Sequence, residues 1–203
     1  MTSRSREWKQ LEKLYKEEGS QIALIYGSSR CGKESLIQEF ASNKEVFYYR
    51  VRNASEKKQQ ALLAGELQEE YHIQLEETSY DACFAQMNAR GGGKLVVVID
   101  DFLIMAKRSE AFWNSLFDRK DGKFGKSPVF ILLATPQLTW VRKDMEEALG
   151  RRMKKIDQIL PLIDLNFLDV VRAMPGYSVA QSVQTFGIIG GVPAYLNRWD
   201  ETK

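Results

Sequence analysis

The sequence predicts an α/β fold, a three-layer sandwich in which helices cover both faces of a mainly parallel sheet of about five strands. Three observations carry this expectation. The runs Leu95-Val96-Val97-Val98-Ile99 and Val129-Phe130-Ile131-Leu132-Leu133-Ala134 have no polar side to turn to water, as strands buried on both faces require. Strand-like apolar runs alternate along the chain with stretches of helical periodicity, the order that builds parallel sheets. The run Ile22 to Tyr26 passes at once into a glycine-bounded loop and a helix, which puts that loop at the carboxyl ends of the strands, where such sheets bind ligands.

Between Arg6 and Lys16, Trp8, Leu11, Leu14 and Tyr15 recur at helical spacing on one face, and Glu18 and Gly19 end that helix. Ile22 to Tyr26 is short and bounded by turn residues, so it reads as a buried strand. After Lys33, Leu36, Ile37 and Phe40 fit a helix leaving the loop. Val46 to Val51 is aromatic and β-branched and reads as a second strand. A long polar helical region from about Glu56 to Arg90 follows, with Leu62, Leu63, Leu67, Tyr71, Phe84 and Met87 as its buried face. Gly91-Gly92-Gly93 feeds the strand Leu95 to Ile99, which ends in Asp100-Asp101. A helix from about Glu110 to Phe117 and a basic loop from Asp118 to Lys126 lead to the strand Val129 to Ala134, closed by Thr135-Pro136. Ile156 to Leu162 is a weaker fifth strand, and Phe167 to Trp199 reads as mainly helical.

The 203 residues are 44% hydrophobic and 28% charged, enough for one domain with a substantial core. Twenty-nine Lys and Arg against 27 Asp and Glu leave a net charge of +2, too balanced to mark a nucleic-acid surface. Cys31 and Cys83 lie in unrelated contexts, which argues against a disulfide framework and for free thiols in a reducing compartment. The charged N-terminus lacks the apolar core of a secretion signal, and no apolar run approaches a membrane span. The expectation is a cytoplasmic protein with no membrane partner.

Gly27-Ser28-Ser29-Arg30-Cys31-Gly32-Lys33 has the Gly-x-x-x-x-Gly-Lys spacing that wraps backbone N–H groups around nucleotide phosphates. In that reading the N–H groups from Ser29 to Ser35 surround the β-phosphate of a nucleotide, Lys33 bridges the β- and γ-phosphates, and the glycines permit close approach. Asp100 would hold Mg2+ through water, and Asp101 sits where a carboxylate would polarise the attacking water. The plainer alternative is a pair of solvated carboxylates at a strand end. Asp is one methylene shorter than Glu, roughly 1.5 Å of reach, which makes it a poorer activator of water.

Glu34 occupies the position at which a Ser or Thr hydroxyl would bind Mg2+. Its carboxylate repels a triphosphate unless a cation lies between them. Ser35 cannot simply take over, because adjacent helical residues point about 100° apart. Three explanations stand: Glu34 ligates Mg2+ itself, the site binds without hydrolysing, or the residue is an engineered substitution. Thr135 either hydrogen-bonds the γ-phosphate or attacking water, or merely ends its strand before Pro136. Arg151 and Arg152 are a candidate arginine finger, a role worth about 10³ to 10⁵ in rate, or a solvated basic turn. Cys31 is read either as partly activated by Lys33 and the helix N-terminus or as filler in the loop. His72, the only histidine, is expected at the surface, and Trp8, Trp113, Trp140 and Trp199 in packing roles.

With these residues placed, the chain resembles the archaeal-type P-loop ATPases of the AAA-related superfamily, relatives of signal-transducing ATPases and replication initiators. Arg6-Glu7 with Leu11 and Leu14 looks like the family's opening helix, and Gly27 to Leu36 like its Gly-Arg-Arg-Arg-x-Gly-Lys-Thr loop. Val98-Ile99-Asp100-Asp101-Phe102 is similar to its Ile-Asp-Glu-Phe segment, and Gly150-Arg151-Arg152 to its Gly-Arg-Arg turn. Gly190-Gly191-Val192-Pro193-Ala194-Tyr195-Leu196 is the most specific match, to a Gly-Gly-Val-Pro-x-Tyr-Leu lid motif. The resemblance implies an inserted strand order, with the Thr135 strand between the loop strand and the Asp100 strand, and a helical lid over the nucleotide. It divides the chain into an ATPase core, 1–162, and a lid segment, 163–203, without the winged-helix and C-terminal domains usual in the family. Ser28 and Ser29 in place of arginines, Glu34 in place of Thr and Asp101 in place of Glu are departures that bear on hydrolysis more than on binding.

The resulting expectation is an ATP-binding domain, with slow Mg2+-dependent hydrolysis coupled to a protein partner or an absent domain. Two alternatives accompany it: a switch module that binds nucleotide without hydrolysing it, and a DNA-associated module motivated by the basic loop Arg119 to Lys126.

Overall fold

The computed structural model describes residues 4–107, 109–125, 127–196 and 199. Strands β1 (Gln21–Tyr26), β2 (Val46–Arg50), β3 (Leu95–Asp100), β4 (Val129–Thr135) and β5 (Gln158–Pro161) form one sheet in the order β2-β3-β4-β1-β5. Every neighbouring pair is parallel. β4 therefore lies between β1 and β3, the inserted order that the resemblance implies. Every residue of β1, β3 and β4 is buried, which is why these segments read as unbroken apolar runs.

The sheet separates two cores. On one face Ala23, Ile25, Val96, Val98, Phe130 and Leu132 pack against α1 (Ser5–Tyr15) and α2 (Lys33–Ala41). On the other, Ile22, Leu24, Val97, Ile99, Ile131 and Leu133 meet α3 (Glu56–Tyr71), α4 (Tyr80–Gln86), α5 (Leu103–Ala106), α6 (Glu110–Lys120) and α7 (Met145–Leu149). Trp113 and Trp140 belong to this second core, and Trp8 packs at the edge of the first. Residues 56–90 form two helices rather than one long helical region. His72, exposed and at φ 53°, closes α3 in a left-handed C-cap, and the Ser79 hydroxyl accepts the Ala82 N–H (3.2 Å) to open α4.

At the far end of α6, Arg119 is fully buried and donates to the carbonyls of Met87 (2.8 Å) and Ser127 (3.0 Å) and to Asn88 Oδ1 (3.1 Å). Lys120 pairs with Asp157 and Lys123 with Asp118. Arg119 and Lys120 thus tie separate segments together, Lys123 is exposed and pairs within its own loop, and Lys126 lies outside the described residues.

Beyond β5, α8 (Phe167–Ala173), α9 (Val179–Ile189) and α10 (Pro193–Leu196) surround a separate small core of Leu165, Val170, Met174 and Leu196, against which Trp199 packs. Asn197 and Arg198, within the stretch expected to be helical, lie outside the described residues. The helices α8 and α9 each start with a capping box, Asn166 with Asp169 and Ser178 with Gln181. Among the described residues no helix is long and apolar enough to cross a membrane.

Candidate functional site

The site is built at the carboxyl end of β1. There the chain leaves the sheet at Gly27, whose N–H donates to Thr135 O (3.3 Å) on β4. A Cβ at Gly27 would stand 2.3 Å from Leu162 O and 2.6 Å from Cys31 Sγ, so only glycine passes. Cys31 N–H returns to Ser28 O (3.2 Å), Gly32 takes φ 87°, and α2 begins at Lys33. The Lys33 ammonium turns back into the loop and donates to the carbonyls of Gly27 and Ser28, each at 2.7 Å. Glu34 and Ser29 are exposed at the mouth.

Two further segments hold the loop. Arg4, buried beneath it, donates to the Cys31 carbonyl through Nε (3.2 Å) and Nη2 (2.6 Å), and to Ile163 O through Nη2. From the C-terminal side, Ala194 N–H approaches Arg30 O (3.4 Å), Pro193 packs on Gly32, and Arg30 donates to the Tyr195 hydroxyl. Burial pushes the Cys31 thiol up in pKa, outweighing the nearby Lys33 and Arg4, so Cys31 fills space and is not activated.

Across the cleft β3 ends in the paired carboxylates. Asp100 Oδ1 accepts the Asp101 N–H (3.0 Å), and Oδ2 accepts the Tyr48 hydroxyl (2.8 Å). Burial, then hydrogen bonding to Asp100, raises the Tyr48 phenol, which therefore stays a donor. Arg50, at the end of β2 and in register with Asp100, reaches both acids, with Nε 3.5 Å from Asp100 Oδ2 and 3.7 Å from Asp101 Oδ2. Asp101 has φ 56°, a left-handed backbone that Asp tolerates better than most residues. Its carboxyl is raised by burial first and by Asp100 second, against the opposing pull of Arg50 and Lys33.

Ser29, Lys33, Glu34, Arg50, Asp100, Asp101 and Pro136 line one small cleft of about 160 Å3. Larger hollows lie elsewhere, such as one of about 590 Å3 beside β2 and α3, but they do not combine the loop with the carboxylates. Of the predicted residues, the structure thus gathers Ser29, Lys33, Glu34, Asp100 and Asp101 around the cleft, with Gly27, Ser28, Arg30 and Gly32 forming the loop itself. Ser35 sits in the first turn of α2 and does not line the cleft. Thr135 is fully buried, and its Oγ1 accepts the Gln137 N–H (3.2 Å), closing the turn after β4. Arg151 is exposed, and Arg152 is engaged with Asn114 Oδ1 (2.8 Å) and Glu110 Oε1 (3.3 Å) on α6. Arg4, Tyr48 and Arg50 are site residues that sequence reasoning missed. The parallel pairing of the second and third strands, which aligns Arg50 with Asp100, was the available signal for two of them.

The cleft suits a phosphate chain: a glycine-only passage, a helix N-terminus and a buried ammonium converge on it. For Mg2+ the cleft offers the carboxylates of Glu34, Asp100 and Asp101 beside the Ser29 hydroxyl, and Asp100 already accepts a hydrogen bond on each oxygen. Among the described residues no cluster of three or more His, Cys, Asp or Glu is arranged to hold a metal by itself.

The parallel sheet order and the glycine loop at the carboxyl end of β1 define an α/β domain of the P-loop ATPase type. Residues 1–198 match the family described as an ATPase domain predominantly from Archaea, and the chain belongs to that family. No curated protein matches the chain significantly. Among solved structures, the Walker-type ATPase PABY2304 of Pyrococcus abyssi superposes with TM-score 0.65 at 14% identity, over 96% of this chain and 65% of its own. The ORC2 protein of Aeropyrum pernix, solved in ADPNP and ADP complexes, gives 0.58 at 18% identity over 85% of this chain and 51% of its own. A signal transduction ATPase with numerous domains from Pyrococcus horikoshii, carrying a tetratricopeptide repeat sensor, gives 0.54 at 16% identity over 93% and 28%. At these identities the likeness is one of fold, and the chain spans less than two thirds of each of these neighbours.

Proposed function

We propose that the chain is the ATP-binding domain of an ATPase whose nucleotide state is transmitted to a protein partner or to a further domain, with slow Mg2+-dependent hydrolysis. The observation that carries this reading is the cleft in which Lys33 and the Gly27–Gly32 loop face Asp100 and Asp101. The loop N–H groups and the α2 N-terminus would take the phosphates, and Lys33 would exchange the Gly27 and Ser28 carbonyls for β- and γ-phosphate oxygens. Asp100, through water, and Glu34 are the residues that would hold Mg2+, which supplies charge neutralisation to the phosphates when bound. Asp101 would orient water. Thr135 would reach the terminal phosphate only by leaving its turn, and Arg151 or Arg152 would act from a neighbouring copy. The segment expected as the lid, 163–203, would close over the nucleotide, and the contacts of its described residues Pro193, Ala194 and Tyr195 with Arg30 and Gly32 would give nucleotide state a route to the rest of the protein.

A second reading, a module that binds nucleotide without hydrolysing it, is favoured by one arrangement. Arg50 is paired with both acids, and a carboxylate, Glu34, stands where a hydroxyl would serve the metal. A phosphate-release assay with and without Mg2+ separates the two on wild type, Lys33→Ala and Glu34→Thr. The first reading expects slow release by wild type, lost in Lys33→Ala. No release by wild type together with release by Glu34→Thr would establish the second.

A further inference from the structure

Among the described residues lining the cleft, Arg50 is the one whose cation belongs neither to the loop nor to the metal-binding pattern. We propose that Arg50 is the receptor for the terminal phosphate, a built-in counter-cation that makes the site prefer a nucleoside triphosphate to a diphosphate and reduces its need for Mg2+. This rests on the reading of the cleft as a nucleotide site.

Three observations support it. First, the position is set by the sheet: parallel pairing of β2 with β3 aligns Arg50 with Asp100, on the side of the cleft opposite the loop. A phosphate chain whose inner part lies in the loop therefore meets Arg50 at its far end. Second, the guanidinium is held loosely. Its two carboxylate contacts, 3.5 and 3.7 Å, are longer than hydrogen bonds, and its side chain is 61% exposed. Tyr48 keeps Asp100 in place independently, donating at 2.8 Å, so Arg50 can leave without collapsing the acid pair. Third, the charges require it. Glu34, Asp100 and Asp101 face Lys33 and Arg50 in the cleft, an excess of one negative charge before any phosphate enters. A triphosphate offers the planar fork paired oxygens, which carboxylates 3.5 Å away do not match as well.

The test is calorimetric titration of ATP and of ADP, each with Mg2+ and with EDTA, into wild type, Arg50→Ala, Arg50→Lys and Lys33→Ala, with circular dichroism to confirm folding. Wild type is expected to bind ATP in EDTA and to prefer it to ADP by about tenfold, as one charge-assisted pair provides. Arg50→Ala should erase that preference while leaving ADP affinity within about twofold, and Arg50→Lys should restore part of it. Three results would overturn the proposal: unchanged ATP preference in Arg50→Ala, tighter ATP binding in that variant, or equal losses for ATP and ADP. If wild type binds neither nucleotide, the nucleotide reading itself fails, whereas binding by wild type with an indifferent Arg50→Ala removes only the role given to Arg50.

Discussion

The Arg30 guanidinium lies 5.4 Å from the centre of the Tyr195 ring and donates to its hydroxyl, joining the glycine loop to the last described helix across 165 positions of sequence. Pro193 reinforces the join, since its Cβ would be 3.4 Å from a Cβ placed on Gly32. The loop and the C-terminal segment are therefore one mechanical unit.

Tyr195→Ala tests that unit. An exposed cation–π contact is worth about 0.5–1 kcal/mol, so ATP affinity is expected to fall by about two- to fivefold if the segment helps hold the loop in its binding form. Global stability should change little. Calorimetric titration beside a denaturant melt checks both, and a large loss of stability with unchanged affinity would mean the contact is merely structural.

Gly27 and Gly191 are obligatory glycines for steric reasons. A Cβ at Gly191 would lie 1.7 Å from Leu165 O, and one at Gly27 2.3 Å from Leu162 O. Both clashes are with backbone, which cannot turn aside. Gly27→Ala and Gly191→Ala should each cost about 1–3 kcal/mol or more, measured by urea unfolding. A control, Gly93→Ala, has open space around its Cβ and should be near neutral.

Arg4 predicts a different kind of loss. Its buried guanidinium serves the carbonyls of Cys31 and Ile163, tying the start of the chain to the loop and to the strand exit after β5. Arg4→Met keeps the volume but strands both acceptors, and should cost about 1–3 kcal/mol in urea unfolding. A variant as stable as wild type would show that water replaces the guanidinium without penalty.

Asp101 yields a pH prediction. A carboxyl raised in the folded state stabilises the fold below the ordinary carboxylate range, and that contribution is lost as pH rises through the raised value. Asn accepts the left-handed backbone as well as Asp and does not ionise. Asp101→Asn should therefore unfold at higher urea than wild type at pH 7, and the difference should vanish below about pH 4. Asp101→Glu, by contrast, should cost about 1 kcal/mol at pH 7, because Glu fits φ 56° less well. Equal midpoints for wild type and Asp101→Asn at both pH values would contradict the electrostatic part.

The parts of this molecule that sequence disclosed are those governed by local rules. β3 and β4 could be read because burial on both faces leaves no polar residue in them, and the loop because glycine spacing is a backbone requirement. β5 was faint because only four residues pair, and they begin with a polar Gln158. α5 and the π-helical turn Trp140–Asp144 were missed because neither is long enough for a periodicity to repeat. The break between α3 and α4 was hidden because His72, not glycine, takes the left-handed cap. In the site, Lys33 and the acids announced themselves by spacing. Arg4, Tyr48 and Arg50 did not, since their roles arise from strand register and from contacts between segments far apart in sequence. Arg152 shows the converse: a basic turn prominent in the sequence is occupied by Asn114 and Glu110.

The central claim, that the cleft between the Gly27 loop and Asp100 is a nucleotide site, is tested most directly by titrating ATP with Mg2+ into wild type and Lys33→Ala in a calorimeter. The account predicts saturable one-to-one binding by wild type, weakened at least about tenfold when the ammonium is removed, since a charge-assisted contact is lost. Binding of equal strength by both proteins would place the nucleotide elsewhere, and absence of binding by wild type would contradict the claim outright.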